Sequence, residues 1–328
     1  MRRRRFLRGL GGALAWPGLP RAETKSPRRI AFLSGFSSAA AAWIVDDLRI
    51  EMGQRGWVDG RDIVLLPPRA AEGRSARLPA LAAEVLQQKP DVVLVSTAAA
   101  TAAMKQATTT IPIVMDSVGD PIEYGLVASL RHPGANVTGS AYLLVEVAQK
   151  LLQIMKDAVP QLTAVAVLTN PDNVGAPGYW RAATTAAPAL GIKVQNIPLR
   201  NAEELDTALA AIRDARLDGI LVPPEPVIRS LRPGIAVFAL RARLPVMVHG
   251  PAEILSSGEL LAGGPSRKGQ IQILATYVDK ILRGAEPREM PITQPTSFEL
   301  GVNLRTAAAL GLTIPASILV RADRVIED

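Results

Sequence analysis

The sequence predicts an α/β protein built of two doubly wound parallel-sheet lobes. Three observations carry that expectation. Short apolar strand-like runs alternate with helical stretches along nearly the whole chain. The runs are apolar without a break, as in Val92-Val93-Leu94-Val95, which is the pattern of strands buried on both faces of a parallel sheet. The alternation occurs twice, on either side of Pro133-Gly134-Ala135-Asn136-Val137-Thr138-Gly139, and 328 residues suit two domains of about 100–200 residues each.

The first lobe is expected to open with a strand over Arg29–Ser34 and a helix reaching about Arg55, in which Ile44, Leu48 and Met52 recur at four-residue spacing. Strand and helix then follow in pairs: Asp62–Leu66 with Ala76–Gln88, Asp91–Val95 with Ala98–Ala107, and Pro112–Met115 with Pro121–Leu130. A helix from about Leu144 to Ala158 opens the second lobe. Strand Ala164–Leu168, helix Pro177–Leu190, strand Ile192–Ile197, helix Ala202–Ala215 and strands Asp218–Val222 and Leu244–Val248 continue it. Beyond Leu260 the pattern gives a helix over Lys268–Leu282, an extended run over Thr296–Val302 and terminal helices, without assigning them to a lobe.

Composition excludes several functions. The net charge is +7, but Met1–Ala22 holds six arginines and no acid, so the body is nearly neutral and has no general attraction for nucleic acid. Aromatic residues are 4% of the chain, too few for a base-stacking platform. With no cysteine and two histidines, disulfides, a thiolate nucleophile, lipid attachment at cysteine and Cys/His metal clusters are all excluded. Residues 1–22 run basic, then weakly apolar, then small, and read as a twin-arginine-like signal peptide with a cleavage point after Ala22. No apolar stretch approaches the roughly 20 residues of a membrane span. The expected product is exported to the periplasm, soluble, not lipid-anchored and not inserted in the membrane.

Ligands of parallel α/β sheets gather at the carboxyl ends of the strands. On the first lobe these loops hold Phe36, Ser37 and Ser38, then Ser96, Thr97 and Ala98, then Asp116 and Asp120. Each precedes a predicted helix, whose free N–H groups favour an anion; helix capping by Ser38, Thr97 or Asp120 explains any one loop, whereas three such loops on one edge favour placing at least one in a ligand site. On the second lobe the loops hold Asn170, Asn173, Glu225 and His249. Trp43 and Tyr179 lie on the helices that follow such loops, with Trp180 beside Tyr179. Neither a G-x-S-x-G elbow nor a phosphate-cradling glycine motif occurs. His249 lacks a nucleophile and an orienting acid, and Asp116 and Asp120 lack further ligands, so no catalytic residue, metal site or cofactor is expected.

Several motifs occur together and in order. They are Arg69-Ala70-Ala71-Glu72-Gly73-Arg74 with Leu78-Pro79-Ala80-Leu81-Ala82-Ala83-Glu84, Ala107-Thr108-Thr109-Thr110-Ile111-Pro112-Ile113-Val114, and Val118-Gly119-Asp120-Pro121 through Gly125-Leu126-Val127-Ala128-Ser129-Leu130. Near the C-terminus come Gln294-Pro295-Thr296-Ser297-Phe298-Glu299-Leu300, Asn303-Leu304-Arg305-Thr306-Ala307 and Ala309-Leu310-Gly311-Leu312-Thr313-Ile314-Pro315. From about residue 28 to 326 the chain resembles periplasmic substrate-binding proteins of ABC transporters, in the family with tryptophan- and tyrosine-binding members. The resemblance implies a type I periplasmic-binding fold, with lobe 1 at 28–139 plus 264–291, lobe 2 at 140–263 plus 292–328, and a hinge of three crossovers. It also implies a small solute held between the lobes and an ABC permease of the inner membrane as partner.

In that setting a solute carboxylate would bind Ser37, Ser38 or Thr97, and an amine would pair with Asp116, Asp120 or Glu225. Trp43, Tyr179 and Trp180 would cover apolar parts. An amino acid or an aromatic acid fits this description. Many relatives carry Ser-Tyr-Gly where this chain has Ala262-Gly263-Gly264, so a ring near the hinge is missing, which weakens the transfer of aromatic amino acids as ligand. A co-receptor for a membrane sensor shares the same fold and cleft, and an exported α/β enzyme is the remaining alternative.

Overall fold

The computed structural model describes residues 26–327 apart from Leu143 and Ser257, so the signal-like segment 1–22 lies outside the described residues. The first sheet is assembled from β1 (Arg28–Ser34), α1 (Ser38–Gln54), β2 (Ile63–Leu65), β3 (Arg69–Ala70), α2 (Leu78–Gln87), β4 (Val92–Ser96), α3 (Ala98–Ala107), β5 (Ile113–Val118) and β6 (Val137–Ala141). Its strands are parallel in the order β2-β1-β4-β5-β6, with the short β3 also on β1. Strand periodicity explains the continuous apolar runs. Val93 and Val95 of β4 enter one buried cluster with Ala31 and Leu33 of β1, while Val92 and Leu94 enter the opposite cluster with Ile30 and Phe32.

The second sheet follows through α4 (Leu144–Ala158), β7 (Ala164–Thr169), α5 (Ala176–Ala186), β8 (Lys193–Pro198), α6 (Leu205–Asp214), β9 (Gly219–Val222), α7 (Pro226–Ser230), α8 (Arg232–Ala242), β10 (Val246–His249) and β11 (Leu261–Pro265). The chain then crosses back. Helix α9 (Arg267–Leu282) buries Ile271, Leu274, Ala275, Tyr277, Val278 and Ile281 against α1 and the first sheet. A third crossing leads to β12 (Phe298–Asn303), α10 (Leu304–Leu310), α11 (Ala316–Leu319) and β13 (Arg324–Ile326). The order is β13-β12-β11-β10-β9-β7-β8, and β12 runs antiparallel to β11 because it enters from the other lobe. Before that crossing Thr293 runs beside β6, donating its N–H to the Gly139 carbonyl and accepting from Ala141 N–H.

One expectation differs from the structure. Residues 121–130 form turns instead of a helix. Asp120 caps a first turn by accepting from the N–H groups of Ile122 and Glu123, but Gly125 takes a positive φ of 65°, and the N–H groups of Leu126 and Val127 fold back onto the Pro121 carbonyl. The stretch expected to lie near the lobe boundary, 133–139, also carries the start of β6, whose Thr138, Gly139 and Ser140 lack the apolar signature yet are fully buried. Among the described residues no helix is long and apolar enough to cross a membrane.

Candidate functional site

The carboxyl ends of both sheets open onto one cavity between the lobes, with about 1210 Å³ of space including its mouth. Ten of the fourteen expected residues line it: Phe36, Trp43, Thr97, Ala98 and Asp116 from the first lobe, and Asn170, Asn173, Tyr179, Glu225 and His249 from the second. Four do not. Ser37 caps α1 by accepting from Ala40 N–H, and Ser38 gives its N–H and hydroxyl to Glu72 at 2.7 and 2.5 Å. Ser96 is buried against Ser34, and Asp120 is spent on the turn that follows it. Trp180 packs against the second-lobe core rather than lining the cavity.

The first-lobe wall contains a strained residue. Thr97 caps α3 by accepting from Ala100 N–H at 3.3 Å while holding a φ of +83°, a value that β-branched residues avoid. Gly35 makes this possible, since a Cβ there would lie 2.5 Å from the Thr97 hydroxyl oxygen. Trp43 is fixed from behind by Arg267, whose guanidinium carbon sits 3.8 Å from the ring centroid and whose charge pairs with Asp47 at 2.6 Å.

The second-lobe wall is a polar network beside an aromatic stack. Glu225 caps α7: its Oε2 accepts from Ile228 N–H at 2.8 Å, and its Oε1 accepts from the amides of Asn170 and Asn173 at 3.0 and 3.3 Å. Burial raises its pKa against the pull of these bonds. His249 lies between Tyr142 and Tyr179, with ring centroids 5.4 and 5.8 Å away. The imidazole is 1% exposed, and neither of its nitrogens nor the Tyr179 hydroxyl has a hydrogen-bond partner among the described residues.

Burial first, and the nearby Arg229 charge second, push the His249 pKa down to about 3, so the ring is neutral. Its folded pKa lies below the unfolded value near 6.5. The stability it contributes is therefore complete above pH 6.5 and is lost as pH falls toward 3, at up to about 1.4 kcal/mol per pH unit. His249→Gln should flatten the decline measured by urea unfolding between pH 6.5 and 5, above the range of most carboxylates. An unchanged slope would contradict a buried neutral imidazole.

Sequence reading missed Arg229, Tyr142, Tyr124 and Gln270, all of which line the cavity. Arg229 lies one helical turn after Glu225 and so shares its face, a spacing that could have found it. Tyr142 directly follows β6, whose strand character was not legible. Both lobes touch around the cavity: Arg229 stacks 5.2 Å from the Phe36 centroid, Arg181 pairs with Glu123 at 2.5 Å, and Gln270 donates to the Tyr142 hydroxyl at 3.1 Å. Tyr124 enters a notch left by glycine, since a Cβ on Gly178 would lie 3.1 Å from its hydroxyl oxygen. At the Ala262-Gly263-Gly264 departure, a Cβ on Gly263 would come within 2.9 Å of the Phe298 ring, and one on Gly264 within 3.0 Å of the Gly250 backbone.

Two lobes of this topology enclosing one cavity are matched by comparison with known proteins. A family model described as ABC transporter substrate binding protein matches residues 52–326. The chain belongs to this family. It is 25% identical over 259 residues to a tyrosine-binding protein of Clostridioides difficile, covering 79% of this chain and 73% of that protein. A conserved domain protein from Vibrio cholerae has a crystal structure that superposes with a TM-score of 0.84 at 26% identity, covering 92% of this chain and all of that one. A Streptococcus pneumonia ABC domain in complex with L-Trp gives a TM-score of 0.83 at 21% identity, with the same coverage. The substrate-binding protein thus has the type I periplasmic-binding fold and is of the ABC-importer type, a family of binding proteins rather than catalysts. No group of side chains able to hold a metal ion occurs among the described residues.

Proposed function

We propose that this substrate-binding protein is exported to the periplasm, captures a small carboxylate-bearing solute between its lobes, and delivers it to an ABC permease of the inner membrane. The solute is an amino acid or an aromatic acid. The observation that carries this reading is the shared cavity, where rings from both lobes (Phe36, Trp43, Tyr142, Tyr179) surround a few polar groups, the usual construction of a small-molecule site. The bodies that close on the solute are 28–139 with 264–291 and 140–263 with 292–328, and binding free energy offsets the loss of the open state. The tyrosine-binding relative and the L-Trp complex support an amino-acid-sized cargo.

The test is a thermal-shift screen of the chain from Glu23 onward against amino acids, aromatic acids, small carboxylates and nucleobase derivatives, with calorimetric confirmation. A ligand at 100 times its Kd adds about 2.7 kcal/mol of stability. A screen without a single stabilising compound contradicts the reading. Thr97→Val should weaken the confirmed ligand about tenfold, with about 1 kcal/mol of stability lost along with the cap and the fold retained. Unchanged calorimetric affinity removes Thr97 from the site.

A further inference from the structure

We infer that the second lobe receives the anionic end of the solute, with the Arg229 guanidinium facing its carboxylate and Tyr179 and His249 hydrogen-bonding to that same end. This rests on the solute-binding reading and specifies its chemistry: an organic carboxylate whose charge is recognised by α7 and β10, with the Thr97 hydroxyl as the one further donor from the first-lobe hydroxyl loops.

Of the serines and threonines in the first-lobe hydroxyl loops only Thr97 lines the cavity, and it can offer a carboxylate no more than its single O–H donor. Ser37 caps α1, Ser38 binds Glu72, and Thr97 caps α3. The charged side chain that lines the cavity on that wall is an acid, Asp116, which repels a carboxylate. The opposite wall has the complementary character. Arg229 lines the cavity and forms no ion pair among the described residues. Glu225, one turn before it, spends both oxygens on Asn170, Asn173 and the Ile228 N–H. Desolvation, reinforced by the neighbouring Arg232 charge, pulls the Arg229 pKa down to about 10, so an anion arriving here relieves an existing cost. Phe36 covers the guanidinium from the other lobe through its ring face and takes none of the N–H donors. His249, close enough to feel the Arg229 charge, has two unpartnered nitrogens, and Tyr179, stacked on it and 5% exposed, has an unpartnered hydroxyl. Buried polar groups without partners are costly, and a polar solute end supplies the missing partners. A neutral imidazole offers one donor and one acceptor, so it can serve a carboxylate without carrying charge.

The experiment measures 3-phenylpropionate, indole-3-propionate, L-tyrosine and L-tryptophan against their carboxamides, by thermal shift and calorimetry, on the wild-type chain, Arg229→Met and Arg229→Lys. At least one acid is expected to bind the wild type ten-fold or more tighter than its amide. Arg229→Met should lose at least about thirty-fold in affinity for that acid, erase the acid-over-amide preference, and melt no lower than wild type without ligand. Arg229→Lys should keep part of the preference. Equal binding of acid and amide, or an acid affinity unchanged in Arg229→Met, overturns the inference and leaves solute binding standing. Absence of binding by every acid and every amide overturns the inference and counts against the solute-binding reading as well.

Discussion

Replacing Glu259 by alanine is expected to remove about 3–5 kcal/mol of stability, read as a lowered urea midpoint with an unchanged slope. The side chain of Glu259 is 1% exposed, and its Oε1 accepts from Arg232 Nε at 2.8 Å and Nη2 at 2.6 Å. Arg232 also donates to the Ile254 carbonyl at 2.5 Å, so the pair fastens the segment between β10 and β11 to the start of α8. Removing the acid leaves a guanidinium in a site where water cannot compensate it. Removing both charges should cost much less: Glu259→Leu with Arg232→Met is expected to recover most of the loss, because desolvation of two ions offsets most of the attraction between them. A loss below about 1 kcal/mol in Glu259→Ala would show that the pair is solvated in solution.

Gly139→Ala should be nearly as damaging, on the order of 3 kcal/mol, through a different cause. Gly139 takes a φ of +125°, and a Cβ there would strike the Met115 carbonyl oxygen and lie 2.6 Å from the Met115 nitrogen. Both belong to backbone and cannot turn aside as a side chain would. The register between β5 and β6 shifts just beyond Met115, so this glycine sits where the sheet bends toward the first crossing into the second lobe. Thr293 of another crossing segment donates to the Gly139 carbonyl. Alanine is therefore expected to lower the calorimetric affinity for ligand as well as the urea midpoint. An unaltered midpoint would mean that the strand can move to admit the methyl group.

The central strands of both sheets were readable because they are buried on two faces and so are almost wholly apolar, as in β4 and β9. β6 was not readable: its hydroxyl and glycine residues are buried by close backbone approach and by bonds such as Thr138 Oγ1 to the Met290 carbonyl at 2.8 Å. Tyr142 disappeared with it. The 121–130 turns look helical in composition, but one positive-φ glycine redirects the chain, which periodicity does not register.

The site was legible to the extent that it follows strand ends. Loops after β1, β4, β5, β7, β9 and β10 contribute to the cavity, as parallel-sheet topology requires. Which hydroxyls reach the cavity was not legible, because Ser37 and Ser38 cap or bridge locally and the same residue types in the same loops would equally suit a ligand. Arg229 was missed because it sits one turn inside α7, and only the fold turns that turn toward Phe36 of the other lobe.

On the function proposed above, the cavity between the lobes holds one small solute and releases it unchanged. Native mass spectrometry of the folded chain after incubation with the solute mixture tests it most directly, followed by denaturation and mass analysis of what was bound. A single 1:1 adduct is expected, recovered at the mass of an added compound and diminished in Arg229→Met. A product of altered mass, or no adduct with any compound, would contradict it.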